Sequence, residues 1–151
     1  MSLVEPVEIR IVEAPSAELV EALELLLPQL SSSAPSITLE ALAEIIACPT
    51  STLLIARWNG QIVGALTLVV FRIPTAQRAW IEDVVVDRTA RGRGAGEALV
   101  RAAVEMAQRR GAKTVDLTSR RSREAAHRLY EKVGFHLRET SVYRYGAKPI
   151  T

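Results

Sequence analysis

The chain has 151 residues, of which 48% are hydrophobic and 24% are charged, a composition typical of a globular domain. Its formal net charge of +2 is too small to indicate a nucleic-acid-binding protein. The single cysteine, Cys48, excludes an internal disulfide and a multi-cysteine zinc site. It lies in an apolar helical stretch, so we expect a buried thiol. We see no secretory leader and no apolar run of the roughly 20 residues that span a bilayer. We therefore expect one cytoplasmic domain over residues 1–151, with its core at about 7–145.

The first half of the chain predicts a strand, two helices and a hairpin. The alternation in VEIRIV predicts a strand at about residues 7–12. Helical spacing follows in SAELVEALELLLPQL, which we expect to end near Pro28, and in TLEALAEIIACP, which ends at Pro49. The pair Asn59-Gly60 separates two β-rich runs and suits a type I′ turn, so it predicts a β-hairpin.

The second half of the chain alternates strands with helices. AWIEDVVVD predicts a strand ending near Asp87, and GEALVRAAVEMAQRRG predicts a helix. KTVDLTS then predicts a fifth strand, SREAAHRLYEKVGF a further helix, and HLRETSVYRYG a final strand or pair of strands. This order predicts a mixed α/β sheet, with a right-handed crossover between the fourth and fifth strands.

The segment RTARGRGAGEAL, residues 88–99, joins the fourth strand to the next helix. Three glycines alternate with other residues in it: Gly92, Gly94 and Gly96. A helix N-terminus has unpaired N–H groups and a partial positive charge, and glycines before it let the backbone approach a phosphate closely. Arg91 and Arg93 would add charge-assisted contacts. A glycine-rich turn with solvated arginines is the alternative interpretation.

Two common phosphate-binding motifs do not match this segment. A Walker loop requires Lys and then Ser or Thr after its last glycine, whereas Glu97 and Ala98 follow Gly96. A dinucleotide fingerprint requires GxGxxG beside the first strand of a βαβ unit. Here the third glycine comes one residue early, and the motif lies past the middle of the chain.

The segment resembles the pyrophosphate loop of the GCN5-related N-acetyltransferases. In that pattern, Gln or Arg is followed after two residues by Gly, one further residue, and Gly or Ala. Arg91, Gly94 and Gly96 match it. The run EAAHRLYEKVGF is similar to the family's other motif, a helix carrying Leu-Tyr with Gly-Phe a few residues later, and Tyr130 is its tyrosine.

The resemblance implies an α/β fold with a mixed, mostly antiparallel sheet of about six to seven strands, flanked by about four helices. It also implies that the fourth and fifth strands splay apart and that acetyl-CoA, the acetyl donor, lies between them. No metal is implied. Arg123 stands where the family often has an asparagine. The residues implied to bind the cofactor are Val84, Val85, Val86, Arg91, Gly92, Arg93, Gly94, Ala95, Gly96 and Arg123.

The chemistry implied is attack of a neutral amine on the thioester, which requires a base and a proton donor for the leaving thiolate. Tyr130 matches the family's proton donor. Glu82 is our candidate base because, in a regular strand, it shares a face with Val84 and Val86. A β-bulge would change that alternation. Asp83 and a chain of water molecules remain alternative bases.

The function we predict is acetyl-CoA-dependent N-acetylation of a primary amine, carried by a small molecule or a protein. The resemblance also implies a homodimer that pairs through the final strands. The alternative is a non-catalytic acyl-CoA sensor of the same fold, against which Tyr130 and the Glu82/Asp83 pair argue. We expect no membrane partner, since no apolar run is long enough to span a bilayer. We also expect no nucleic acid as partner, because no aromatic residue is interleaved among the arginines.

Overall fold

A five-stranded sheet lies at the centre of the computed structural model, which describes residues 6–146. The strands lie side by side in chain order, and each is antiparallel to the next except that β5 runs parallel to β4. The strands are β1 (Glu8–Ile11), β2 (Ser51–Trp58), β3 (Gln61–Ile73), β4 (Ala76–Val86) and β5 (Thr114–Asp116). The helices are α1 (Ala17–Leu30), α2 (Leu39–Ala47), α3 (Ala95–Arg109) and α4 (Glu124–Val133), and a 3₁₀ turn spans Arg88–Ala90. The predicted mixed α/β sheet is confirmed.

Local sequence signals explain where several elements begin and turn. The Ser16 hydroxyl accepts a hydrogen bond from the N–H of Leu19 at 3.2 Å and so caps α1. At the tip of the β2–β3 hairpin, Asn59 and Gly60 have φ angles of 54° and 74°. These left-handed conformations are those of the predicted type I′ turn.

Helix α1 continues through Pro28 and ends at Leu30, two residues beyond the proline near which its end is predicted. Pro28 lies in the last turn, where its missing N–H removes one hydrogen bond at the end of the helix. The Leu27 carbonyl still accepts the N–H of Ser31 at 3.0 Å. The extra residues place Gln29 and Leu30 on the helix rather than in the following loop.

Helices cover both faces of the sheet. Helix α3 covers one face, where Leu99 and Val100 are fully buried against β2, β3 and β4. Helices α1 and α2 cover the other face, with Leu19 and Leu42 in its core. Alternate residues of β2 enter the two clusters in turn, as a strand buried on both sides requires.

The predicted final strand or pair of strands does not form. Residues 136–146 have no strand or helix, so the described part of the chain has five strands rather than six to seven. Large apolar side chains of this segment lie in solvent: Leu137, Val142, Tyr143 and Tyr145 are 89%, 70%, 93% and 104% exposed. Alternation of apolar and polar residues describes one face of a strand, but a strand also needs a neighbouring edge to pair with.

Candidate active site

The site begins where β4 and β5 separate. The two strands pair over three residues only, with Arg78 opposite Thr114 and Trp80 opposite Asp116. From Ile81 to Val86, β4 pairs only with β3 among the described residues. One edge of β4 is therefore open along this stretch, and its main-chain N–H and C=O groups can accept an added extended ligand.

A β-bulge interrupts the open stretch of β4. Thr67 pairs with Glu82 and Ala65 pairs with Val85, so the one residue between them on β3 faces two residues on β4. Asp83 is the first of these two, and its φ of 51° lies in the left-handed region. Such a conformation is disfavoured for a residue with a Cβ, although aspartate tolerates it better than most.

The bulge changes which side chains of β4 share a face. Val84 and Val86 pack on the α3 side of the sheet, whereas Val85 packs on the α1 and α2 side. Cross-strand pairing places Glu82 on the same face as Val85. The expectation that Glu82 shares a face with Val84 and Val86 is therefore wrong, because the extra residue shifts the alternation by one position. Glu82 instead faces the side that carries α1 and α2.

Both acidic side chains at the bulge are free of structural ion pairs. Glu82 and Asp83 are exposed. Neither carboxylate forms a salt bridge with another of residues 6–146. The two unpaired carboxylates therefore make the protein surface locally negative at the point where β4 and β5 separate.

The loop after β4 presents bare backbone at the start of α3. Gly92 and Gly94 both have a φ of 83°, and a Cβ placed on either would meet nothing within 4 Å. Gly94 is the N-cap residue of α3, and no side chain caps the helix. The N–H of Ala98 donates to the Gly94 carbonyl at 3.0 Å and closes the first turn. The N–H groups before Ala98 are left for another acceptor, as an anion site requires.

The third glycine of the loop serves helix packing. A Cβ on Gly96 would lie 3.1 Å from Leu129 Cδ1 on α4. The next residue, Glu97, accepts an ion pair from Lys132 Nζ at 3.1 Å, which also joins α3 to α4. Gly92 and Gly94 therefore shape the loop, and Gly96 also leaves space for the close packing of α4 against α3.

Arg93 contacts an aromatic ring, which the sequence did not indicate. Its guanidinium carbon lies 4.7 Å from the ring centroid of Trp58, within the range of a cation–π contact. Trp58 ends β2 at the tip of the hairpin and also packs against the α3-side core. The hairpin therefore supports a cationic side chain of the loop. Arg91 is exposed beside it.

Tyr130 lies on α4 at the edge of the α3-side core. Its ring meets that of Phe135 edge-on, with centroids 6.0 Å apart and an interplanar angle of 63°. Burial raises the pKa of the Tyr130 phenol, and the positive charge of Arg123 opposes that rise. Burial outweighs the effect of Arg123, so the phenol stays protonated at neutral pH.

Cys48 is half-exposed at the C-cap of α2, so the expectation of a buried thiol is wrong. Its sulfur lies 3.3 Å from the Thr50 hydroxyl. This hydrogen bond, with others from the Thr50 and Ser51 backbone and the Ser51 side chain, lowers the pKa of Cys48 to about 7. The residue lies on the α2–β2 connection.

Residues 6–146 contain no group of three or more His, Cys, Asp and Glu side chains arranged to hold a metal ion. None of the helices described is both long enough and apolar enough to span a membrane.

The open edge of β4, the loop before α3 and the tyrosine of α4 define the architecture of a GCN5-related N-acetyltransferase. A model of the acetyltransferase (GNAT) family matches residues 19–135. The chain therefore belongs to this family. The predicted family and fold class are confirmed, and family membership supports an N-acetyltransferase.

Similar proteins agree with this assignment. A provisionally named acetyltransferase from Agrobacterium tumefaciens strain C58 is 30% identical, and the match covers 92% of this chain and 99% of that chain with a TM-score of 0.81. An uncharacterized N-acetyltransferase of Methanocaldococcus jannaschii is 33% identical over 84 residues, which is 54% of this chain. The match spans only 37% of that curated relative.

A third similarity concerns the fold alone. A solved aminoglycoside N-acetyltransferase in complex with CoA is 17% identical, and the match covers 93% of this chain and 94% of that chain with a TM-score of 0.76. An enzyme with this fold therefore binds CoA.

The raised pKa of Tyr130 predicts a specific titration. The chain has three tyrosines, and the absorbance at 295 nm of wild type minus that of Tyr130→Phe isolates one of them. We expect the midpoint of this difference curve above the ordinary tyrosine value of 10.0. Because the pKa is higher in the folded than in the unfolded protein, Tyr130's contribution to the free energy of unfolding is complete below pH 10 and is lost as the pH rises through the folded-state pKa. A midpoint at or below 10 would contradict the burial of the phenol.

Proposed function

We propose that this protein transfers the acetyl group of acetyl-CoA to a primary amine by direct attack of the amine on the thioester. The observation that carries the proposal is the junction of β4 and α3. An open strand edge leads directly into a loop with Gly92 and Gly94 in left-handed conformations, before an uncapped helix. An extended ligand that ends in a pyrophosphate matches both halves of this junction.

The residues fit acetyl-CoA in a defined order along the chain. The backbone of Val84, Val85 and Val86 would hold the pantetheine arm, since their side chains are committed to the two cores. The loop residues Arg91–Gly96 would hold the pyrophosphate through N–H groups and guanidinium charge. Acetyl-CoA supplies the thioester carbon that the amine attacks.

Tyr130 is the proposed proton donor to the departing sulfur. Its raised pKa keeps the phenol protonated at the pH where the amine is acetylated. Helix α4, which carries it, packs directly on the start of α3 through Gly96 and Leu129. The tyrosine and the loop are thus parts of one packed unit. Arg123 precedes the first residue of the same helix, and we propose that it meets the cofactor in place of the family's asparagine.

Glu82 is the proposed general base, acting on the amine directly or through water. It is exposed, forms no ion pair with the other described residues, and faces the side of α1 and α2. From the resemblance to the family, we expect the acceptor site on that side. A small-molecule amine and a protein amine both remain candidates for the acceptor. The cytoplasmic location expected from the sequence remains a prediction.

Turnover across a panel of primary amines tests the proposal, with release of the CoA thiol as the readout. We expect wild type to acetylate at least one amine. Tyr130→Phe should lower kcat roughly 10- to 100-fold while the KM for acetyl-CoA changes little, because only proton donation is removed. Tyr143→Phe is the matched control, since Tyr143 is 93% exposed and the change removes the same hydroxyl. We expect wild-type rates for it.

Other outcomes of the panel contradict the proposal in different ways. Tight binding of CoA with no turnover on any amine would favour the alternative, a non-catalytic acyl-CoA sensor. Absence of CoA binding would overturn the interpretation of the loop. Equal loss in both tyrosine variants would remove Tyr130 from the chemistry.

The two acidic residues of the bulge can be separated by isosteric amides. We expect Glu82→Gln to lower kcat/KM for the amine roughly 100-fold, which is the lower end of the usual contribution of a general base. Asp83→Asn should change it less than about threefold, because asparagine also tolerates the left-handed conformation. Steady-state kinetics from pH 6 to 9 supply the comparison. The reverse ranking would assign the base to Asp83, and two unaffected variants would assign it to water.

We further propose that two copies of the chain pair through residues 136–146. The apolar side chains of this segment are largely exposed in the single chain, and β5 forms an edge of the sheet in the part of the chain described. A free sheet edge and an exposed segment of residues that favour strands together promote strand pairing between two copies. Family resemblance supports the same arrangement.

Light scattering after size exclusion tests this pairing. We expect wild type at micromolar concentration to have twice the monomer mass of 16.5 kDa. Val142→Asp should shift it to a monomer, because a buried carboxylate opposes the contact. Leu25→Asp is the control, since Leu25 is equally apolar and 73% exposed but lies on α1. A monomeric wild type would reject the proposal.

A further inference from the structure

The side chain of Gln29 hydrogen-bonds helix α1 to the two residues that follow β4. Its Nε2 donates to Asp87 Oδ1 at 2.9 Å, and its Oε1 accepts the backbone N–H of Arg88 at 3.0 Å. Nε2 also donates to the Leu25 carbonyl at 3.0 Å, which fixes the side chain on its own helix. The carboxamide of Gln29 therefore donates a hydrogen bond to Asp87 and accepts one from Arg88, the two residues that follow β4.

The residues that Gln29 holds are the start of the loop. Asp87 directly follows β4, and its N–H donates to the Val63 carbonyl at 2.8 Å. Its carboxylate also accepts the Thr89 hydroxyl, at 2.6 Å, and its carbonyl accepts the N–H of Ala90 at 3.0 Å. These bonds form the 3₁₀ turn from which the chain enters Arg91–Gly96. The hydrogen bonds of Thr89 and Gln29 lower the pKa of Asp87, so the carboxylate is ionised at neutral pH.

We infer that Gln29 is a positioning residue for acetyl-CoA binding: it fixes the direction in which the loop Arg91–Gly96 leaves β4. The inference rests on the proposed function only in naming the ligand. Gly92 and Gly94 give the loop access to conformations that other residues avoid, so the glycines alone leave its path poorly defined. Two bonds from a packed helix fix Asp87 and Arg88, from which the loop departs, before the ligand arrives. A loop whose start is preorganised in this way binds more tightly.

The course of α1 through Pro28 is what makes the contact. A helix ending at the proline would have placed Gln29 in the loop that follows. Because α1 continues to Leu30, Gln29 lies on its last turn, and α1 packs against β4. The contact joins residues 58 and 59 positions apart. The contact therefore links the position of α1, on the side of the proposed acceptor site, to the position of the proposed cofactor loop.

Limited proteolysis measures the loop without any assumption about activity. Arg88, Arg91 and Arg93 are exposed trypsin sites within and beside the loop, and mass spectrometry assigns each cleavage. We expect Gln29→Ala to be cut at Arg91 and Arg93 roughly three- to tenfold faster than wild type, because two hydrogen bonds to the turn are lost. Gln29→Glu keeps the size of the side chain but places a carboxylate against Asp87, and we expect the same direction of change.

Gln77→Ala is the matched control. Gln77 lies near the opposite end of β4 and also makes two side-chain bonds, donating to the Arg110 carbonyl at 3.0 Å and accepting from Arg72 at 3.3 Å. The Gln77→Ala substitution removes a comparable pair of hydrogen bonds far from the loop Arg91–Gly96. We expect its cleavage at Arg91 and Arg93 to match wild type.

Binding and kinetics supply the second readout. We expect Gln29→Ala to raise the Kd for CoA, measured by calorimetry, and the KM for acetyl-CoA roughly three- to tenfold, with kcat within about twofold of wild type. Loop cleavage and CoA affinity both within twofold of wild type would overturn the inference. So would cleavage that rises equally at all sites together with a lower Tm, since that would mark general destabilisation. If wild type binds no CoA, the proposed function fails, and the proteolysis still decides whether Gln29 orders the loop.

Discussion

One extra residue in β4 is the constraint on which the rest of the site depends. Asp83 adopts a left-handed conformation opposite a regular stretch of β3, and every side chain after it changes face. Without the bulge, Val85 would face α3, and Val84 and Val86 would face α1 and α2. Both cores would then be filled by different side chains. Glu82 precedes the bulge, and its pairing with Thr67 places it on the α1 and α2 side. The bulge therefore decides which valines fill each core, and it separates the face of the proposed base from that of Val84 and Val86.

A second close approach joins the proposed cofactor loop to the proposed proton donor. Gly96 lets α4 approach the first turn of α3, where Leu129 occupies the space that a Cβ would need. The Glu97–Lys132 ion pair lies at the same crossing, but exposed pairs of this kind contribute little to stability. Van der Waals packing is thus the main constraint on the crossing. Since Tyr130 follows Leu129 directly, the position of its hydroxyl relative to the loop is set by how closely two helices pack.

The sequence predicted the features that depend on neighbouring residues. Asn59-Gly60 specifies its turn through local conformational preference, and the glycine loop with Tyr130 specifies a family. The features it missed depend on distant contacts. Aspartate at position 83 carries no bulge signal comparable to glycine. Gln29 meets its partners 58 and 59 residues away, and a glutamine in a helix is otherwise unremarkable. Residues 136–146 have the pattern of a strand, but pattern alone supplies no partner edge.

The acid strength of Tyr130 depends on two opposing effects that this chain combines in its own way. Burial against Phe135 and the α3-side core disfavours the phenolate, whereas the positive charge of Arg123 favours it. In the family, an asparagine often takes the place of Arg123, and a neutral amide would leave burial less opposed. Arg123 is exposed, so water screens its charge. Burial therefore outweighs the attraction to Arg123, and the net effect is a raised pKa that keeps the phenol protonated, as the proposed proton donor requires.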